Sequence, residues 1–190
     1  MINTLIKMLA VVVLLPGLLA PNAALAKDYR TIEWTDLMPA DDLDALLNPP
    51  EYLNEIEDGS EEDRIASQVY SAVKQANDSA YQRALSSTRV RPEFDGQSLR
   101  VPGFIVPLEF GATEKHVTRF FLVPYFGACI HVPPPPPNQI IYAEYDKGFV
   151  LESLYDPYWI SGVLTTSLTE NDTATSAYSI KVERVAPYTE

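Results

Sequence analysis

Alternation of apolar and polar residues is cleanest near the C-terminus. Tyr178, Ile180 and Val182 point one way and Ser179, Lys181 and Glu183 the other, which predicts a half-buried strand over residues 178–185. Four more strand-like stretches precede it. Residues 98–110 are apolar-rich but interrupted by Pro102 and Pro107, and Gly103 predicts a bulge or sharp bend there. Residues 117–125 are strongly apolar, and residues 139–145 lead into an Asp146-Lys147-Gly148 turn. Residues 159–168 contain Ser161-Gly162-Val163-Leu164, and Asn171-Asp172 lies in the polar connection to the last strand. Asp95-Gly96 predicts the turn that opens this β region.

Upstream of residue 92 the period changes. Ile65, Val69, Val73 and Ala76 fall on one helical face that Tyr81 and Leu85 continue, beginning near Ser60 and ending before Ser86-Ser87. Asp41 or Asp42 can cap a short helix through Leu47, which Pro49-Pro50 stops. Residues 31–39 read as a lead-in segment, with Ile32, Trp34, Leu37 and Met38 able to pack across the domain. The expected fold is therefore mainly β (α+β). Residues 92–190 form a small antiparallel five-stranded barrel of the oligonucleotide/oligosaccharide-binding (OB) type, and residues 27–91 form a helical and irregular segment packed on it.

Residues 1–26 have a different character. Lys7 is followed by an apolar run over 8–19 and by Ala24-Leu25-Ala26, the layout of a cleaved export signal. The run is short for a membrane span and is interrupted by Pro16 and Gly17, so no stable span is expected after cleavage. The expected destination is a Gram-negative periplasm. Losing Lys7 takes the net charge from −12 to −13, an acidity that repels phosphate backbones and argues against a nucleic acid partner. The acidic run 51–63 reads as a solvated loop.

The candidate chemistry sits at residues 127–139. The only cysteine, Cys129, lies two residues from His131, one of two histidines, just before five prolines at 133–137. In extended backbone the thiol and imidazole share a face, and the proline run stiffens the chain beyond them. Thiolate and imidazole are good ligands for zinc or copper, so Cys129 and His131 are candidate metal ligands. His116 is a candidate third, and Glu109, Glu114 or Glu144 can add an oxygen. Alternatively Cys129 is a nucleophile with His131 as base, Gly127 and Ala128 giving backbone donors and Asn138 orienting the ring. The third reading is a buried cysteine in a packing motif. Tyr125, Asn138 and Gln139 are candidate binding or strap-anchoring residues. No phosphate-binding glycine loop, serine-hydrolase elbow or zinc-peptidase helix motif is present in the sequence, and no catalytic residue is assigned.

The string from Leu122 through Gly127-Ala128-Cys129-Ile130-His131 to Asn138-Gln139 resembles the hallmark of an exported bacterial family, a domain of unknown function. Trp34-x-x-Leu37-x-Pro39, Gly103-Phe104-x-Val106-Pro107-Leu108 and Ser161-Gly162-x-Leu164 are similar to its pattern too. The resemblance covers nearly the whole mature chain and transfers no activity. Members encoded beside zinc-responsive transport components and export-type permeases imply a periplasmic accessory role, in zinc handling or in support of an ABC-type transporter. The expectation is thus a binding or accessory protein in preference to an enzyme, with zinc as candidate cofactor and a membrane transporter component or other periplasmic protein as partner. A thiol-dependent enzyme and a structural interaction module stand as alternatives.

Overall fold

The computed structural model describes residues 27–49, 80–111, 115–128 and 134–189. The chain enters along the barrel. Strand β1 (Arg30–Thr31) runs parallel to the start of β2 (Ser98–Phe110), and the amide of buried Ile32 donates to Arg100 O at 3.0 Å. A 3-10 turn at Trp34–Leu37 comes next, then α1 (Ala40–Leu47), whose N-cap is Pro39 rather than Asp41 or Asp42. Both acids lie in the first turn, where the helix dipole favours them, but Asp42 is drawn inward to the buried Ser87 hydroxyl. The expected helix from residue 60 falls mostly outside the described residues. Its end, α2 (Ala80–Leu85), is helical and packs on α1.

The barrel uses β2, β3 (His116–Val123), β4 (Ile141–Val150), β5 (Tyr158–Thr165) and β8 (Tyr178–Pro187), with a small hairpin of β6 (Thr169–Glu170) and β7 (Thr175–Ser176) inserted before the last. The order β2-β3-β4-β8-β5 closes through β2–β5 pairing, which is the OB-like barrel expected. One seam, β4–β8, is parallel and the others are antiparallel. Closure depends on β2, which pairs with β5 through Ser98–Gly103 and with β3 from Phe104 onward. The strand must bend where it changes partner. Gly103 stands there because a Cβ would lie 2.7 Å from Val123 O.

Several boundaries differ from expectation: β3 stops at Val123 instead of residue 125, and β8 runs on to Pro187. Asp146-Lys147-Gly148 does not end a strand: β4 runs through to Val150, and Gly148 adopts φ +59° within it. Gln139 lies in a 3-10 turn (Pro137–Gln139) instead of the strand, because the turn's hydrogen bonds close on Pro136 and Pro137 carbonyls. The fourth strand stops at Thr165, since the Thr166 amide turns to Asp95 Oδ1 at 2.8 Å.

Inside the barrel, Leu99, Val101 and Ile105 meet Phe120, Leu122, Ile141, Ile160 and Ile180. A second core lies outside it. Phe121 and Val123 face outward from β3 and are buried under Ala128 and Ile140, with Phe104, Val106 and Tyr142 alongside. This explains the unbroken apolar run Phe120-Phe121-Leu122-Val123, since a strand covered on both faces does not alternate. At about 1.5–3 kcal/mol per buried large side chain, the outer cluster is a substantial anchor for the segment that covers it.

Candidate functional site

Cys129, Ile130, His131, Val132 and Pro133 lie outside the described residues. The segments that lead into and out of them are well determined by packing. On the near side, residues 125–128 form a turn in which Gly127 takes φ +78° and the Ala128 amide donates to Tyr125 O at 3.3 Å. Ala128 is fully buried in the outer core. Ala128 is therefore held in place by packing, and its N–H is already used.

On the far side the proline run ends in a buried polar network. Asn138 is 0 % exposed and Gln139 7 %. The Asn138 side-chain amide donates to Arg89 O at 3.1 Å and to Asp42 Oδ2 at 3.3 Å, while its backbone amide donates to Ser87 O. The buried Ser87 hydroxyl donates to the same Asp42 oxygen at 2.5 Å, and Arg89 reaches Asp42 Oδ1 at 3.1 Å. Gln139 Nε2 donates to Trp34 O at 2.8 Å, and Trp34 Nε1 in turn donates to Pro102 O. Pro137 O accepts from Ala177 N–H at 2.8 Å. The two amides thus tie the strap to α1, to the segment after α2 and to the N-terminal 3-10 turn. Reversing the Asn138 amide would set its oxygen against a carboxylate and a carbonyl, so its orientation is fixed and Oδ1 is left buried without a partner.

The remaining candidates are spread apart. His116 opens β3, roughly 23 Å from Val123 at the strand's other end at about 3.3 Å per residue. Its ring packs against Gly111 and Gly148, where an added Cβ would lie within 2.5 Å and 2.2 Å of ring atoms, and its buried Nδ1 has no partner among the described residues. Glu109 and Glu144 both bind Arg119, Glu144 at 3.2 Å, and raise the guanidinium's pKa; Glu114 lies outside the described residues. No group of three or more His, Cys, Asp or Glu side chains among the described residues is placed to hold a metal.

Tyr125 is exposed and precedes an exposed aromatic cluster in the chain. Phe126, 44 % exposed, packs against Tyr155 with ring centroids 4.7 Å apart and planes tilted by 34°, and meets Phe104 edge-on at 6.2 Å. Tyr155 and Leu154 are exposed too, and the loop carrying them also carries the exposed acids Glu152 and Asp156. The aromatics are plain in the sequence but their meeting is not, since it joins residues 104, 126 and 155. Nothing in the sequence marks Asp42, Ser87 and Arg89 as strap partners, because each looks like an ordinary cap or surface residue until the chain folds.

A crystal structure of a DUF3299 family protein from Pseudomonas aeruginosa PAO1 is similar to this chain at 32% identity, covering 86% of this chain and 99% of that one with a TM-score of 0.61. The OB domain of a Methanosarcina mazei protein is matched over 50% of this chain and 76% of that one at 14% identity, with a TM-score of 0.29. No curated protein matches the chain. The family described as "Protein of unknown function (DUF3299)" matches residues 34–187, from the Trp34 turn to the last residue of β8, and the chain belongs to that family.

Proposed function

We propose that this is an exported periplasmic accessory protein without catalytic activity of its own, whose working surface is the loop between β3 and β4. There Cys129 and His131 bind a transition metal, zinc in the first instance. The observation that carries the reading is the mounting of the loop. One end departs from the outer core at Ala128, and the other is held by the buried Asn138 and Gln139 amides. Rigid anchorage of a short segment preorganises whatever donors it bears.

One cysteine and two histidines limit what the site can be. With His116 at the other end of β3, the loop supplies one thiolate and one imidazole. A closed structural zinc site takes four protein ligands, so a two-donor site leaves positions open for water, for a carboxylate or for a partner's ligands. That is the coordination chemistry of uptake and transfer. The exposed Phe126–Tyr155 pair gives a partner an apolar surface to cover, and a membrane transporter component facing the same compartment fits this role. The thiol-enzyme alternative has less support, because the Ala128 N–H and the Asn138 amide nitrogen are already bonded within the protein.

Calorimetric titration of the reduced protein with zinc is the test. Wild type is expected to take up about one equivalent at about micromolar affinity or better. Cys129→Ser and His131→Ala should each abolish or sharply weaken uptake. Wild-type protein that takes up no zinc, or variants that bind as well as wild type, would sink the metal reading.

A further inference from the structure

A cavity of about 330 Å³ opens where β2, β5 and β8 meet residues 27–29 and 186–189, lined among others by Arg100, Trp159, Ser161, Arg184, Lys27 and Tyr29. Its floor is built by strand register. Arg100 on β2 lies opposite Ser161 on β5, and Ser161 lies opposite Arg184 on β8. Strands are about 4.8 Å apart, so the two arginines flank the small serine with backbones roughly 10 Å from each other.

Arg184 reaches this face because of a bulge. Tyr178, Ile180 and Val182 of β8 point into the barrel, and strict alternation would send residue 184 inward as well. Between the Ser161–Arg184 and Gly162–Val182 pairs, β8 carries Glu183 as an extra residue. The extra residue reverses the parity, so Val185 packs on the core and Arg184 turns to the cavity. Gly162 permits the close crossing, since a Cβ there would lie 2.2 Å from Lys181 O.

The charges around the cavity are unusual for so acidic a chain. Lys27, Arg100 and Arg184 line it against one acid, Asp28. Lys27 is paired to Glu183 at 2.6 Å, and that carboxylate also accepts from the Tyr29 hydroxyl, fixing the wall. Among the described residues neither Arg100 nor Arg184 has an ion-pair partner. The Arg100 guanidinium lies 3.9 Å from the Trp159 ring centroid, and its Nε is buried with no acceptor among the described residues. Burial of that edge leaves the terminal guanidinium nitrogens as the groups that can meet a ligand oxygen. Trp159 is itself stacked on Tyr188 at 5.1 Å.

We propose that this cavity binds a small organic anion bearing a carboxylate or phosphate group. Arg100 and Arg184 hold the oxyanion over Ser161, and Trp159 flanks the body of the ligand. Two guanidinium groups suit bidentate oxyanions, and the volume falls at the lower end of the range for small-molecule sites.

The test is calorimetry on the full chain with benzoate, citrate, phenyl phosphate and inorganic phosphate, and neutral benzamide as control. At least one anion is expected to saturate with Kd below about 1 mM, and benzamide is not expected to bind. Arg100→Gln and Arg184→Gln should each weaken binding by about tenfold or more, with Arg184→Lys in between. Arg184 is exposed, so its variants report on binding even where Arg100→Gln affects folding. Preference for the carboxylates or for the phosphates identifies the group recognised. Cys129→Ser should leave this binding unchanged, which keeps it separate from metal uptake. Absence of saturable binding by all four anions, or binding that survives both glutamine substitutions, overturns the proposal.

Discussion

Replacing Asn138 by alanine removes the tie that holds the far end of the proline strap. Two hydrogen bonds are lost, one to the Asp42 carboxylate at 3.3 Å and one to Arg89 O at 3.1 Å. A bond to a charged group contributes about 1.5–3 kcal/mol and a neutral one about 1, and the length of the first puts it at the low end. Arg89 O also loses a partner, and the fully buried side chain leaves a small void, which adds roughly 1 kcal/mol. Against this, the unpartnered Asn138 Oδ1 disappears, which returns about 1 kcal/mol. The net expectation is a loss of about 2–3 kcal/mol, read as a fall in the urea midpoint by far-UV circular dichroism with the slope unchanged. Asp42→Ala alone should also destabilise, since it strips acceptors from Ser87 and Arg89 as well. The double variant should then lose less than the sum, with a coupling of about 1 kcal/mol. A loss below about 0.5 kcal/mol for Asn138→Ala, or strictly additive effects, would refute the network as an anchor.

Tyr178→Phe should cost about 2–3 kcal/mol in the same assay, because the fully buried hydroxyl donates to Leu37 O at 2.8 Å and accepts from Arg91 N–H at 2.6 Å, leaving two backbone groups stranded when it goes. Gly162→Ala should be much more damaging than Gly96→Ala: the first drives a Cβ to 2.2 Å from a backbone oxygen, while the second meets nothing within 4 Å and bears only the roughly 1 kcal/mol cost of φ +72°. Equal melting temperatures for these two would contradict the close β5–β8 crossing. Tyr29, whose hydroxyl is hydrogen-bonded to the Glu183 carboxylate, has its pKa pushed up to about 12 from 10.0. The folded value lies above the unfolded one, so this contact's stability is whole below about pH 10 and is lost as pH rises through about 12. Ultraviolet titration of the phenolates should show this late component, and Glu183→Gln should move it back toward the ordinary value.

Much of the barrel was legible in the sequence because it rests on local signals. Alternation in residues 178–185, turn residues at 95–96 and a glycine between two prolines located the strands and the bend of β2. Gly148 misled for a physical reason. A left-handed glycine after Asp-Lys ordinarily marks a hairpin turn, yet here it is a kink inside β4 beside the His116 ring. The strap network was hidden because its side-chain bonds between elements span 45 to 105 residues and its members carry no periodicity. The arginine cavity was hidden more deeply still. It depends on one extra residue in β8, and alternation alone puts Arg184 on the wrong side.

The strap also changes which parts of the barrel can work. In OB folds the outer face of the second and third barrel strands is the usual ligand platform. Here those strands are β3 and β4, and Phe121, Val123 and Tyr142 on that face are packed against Ala128 and Ile140. The polymer-binding platform of the fold is therefore occupied by the protein's own chain, and the acidity of the whole opposes a polyanion independently. Two other surfaces remain open among the described residues. One is the exposed Phe126–Tyr155 pair, with Phe126 just before residue 129 in the chain. The other is the β2–β5–β8 seam, where β3 and β4 take no part and the bulge at Glu183 collects two arginines. The seam cavity, at about 330 Å³, has room for a small molecule and not for a polymer chain, so the anion titration and the zinc titration proposed above probe two separate surfaces of one barrel.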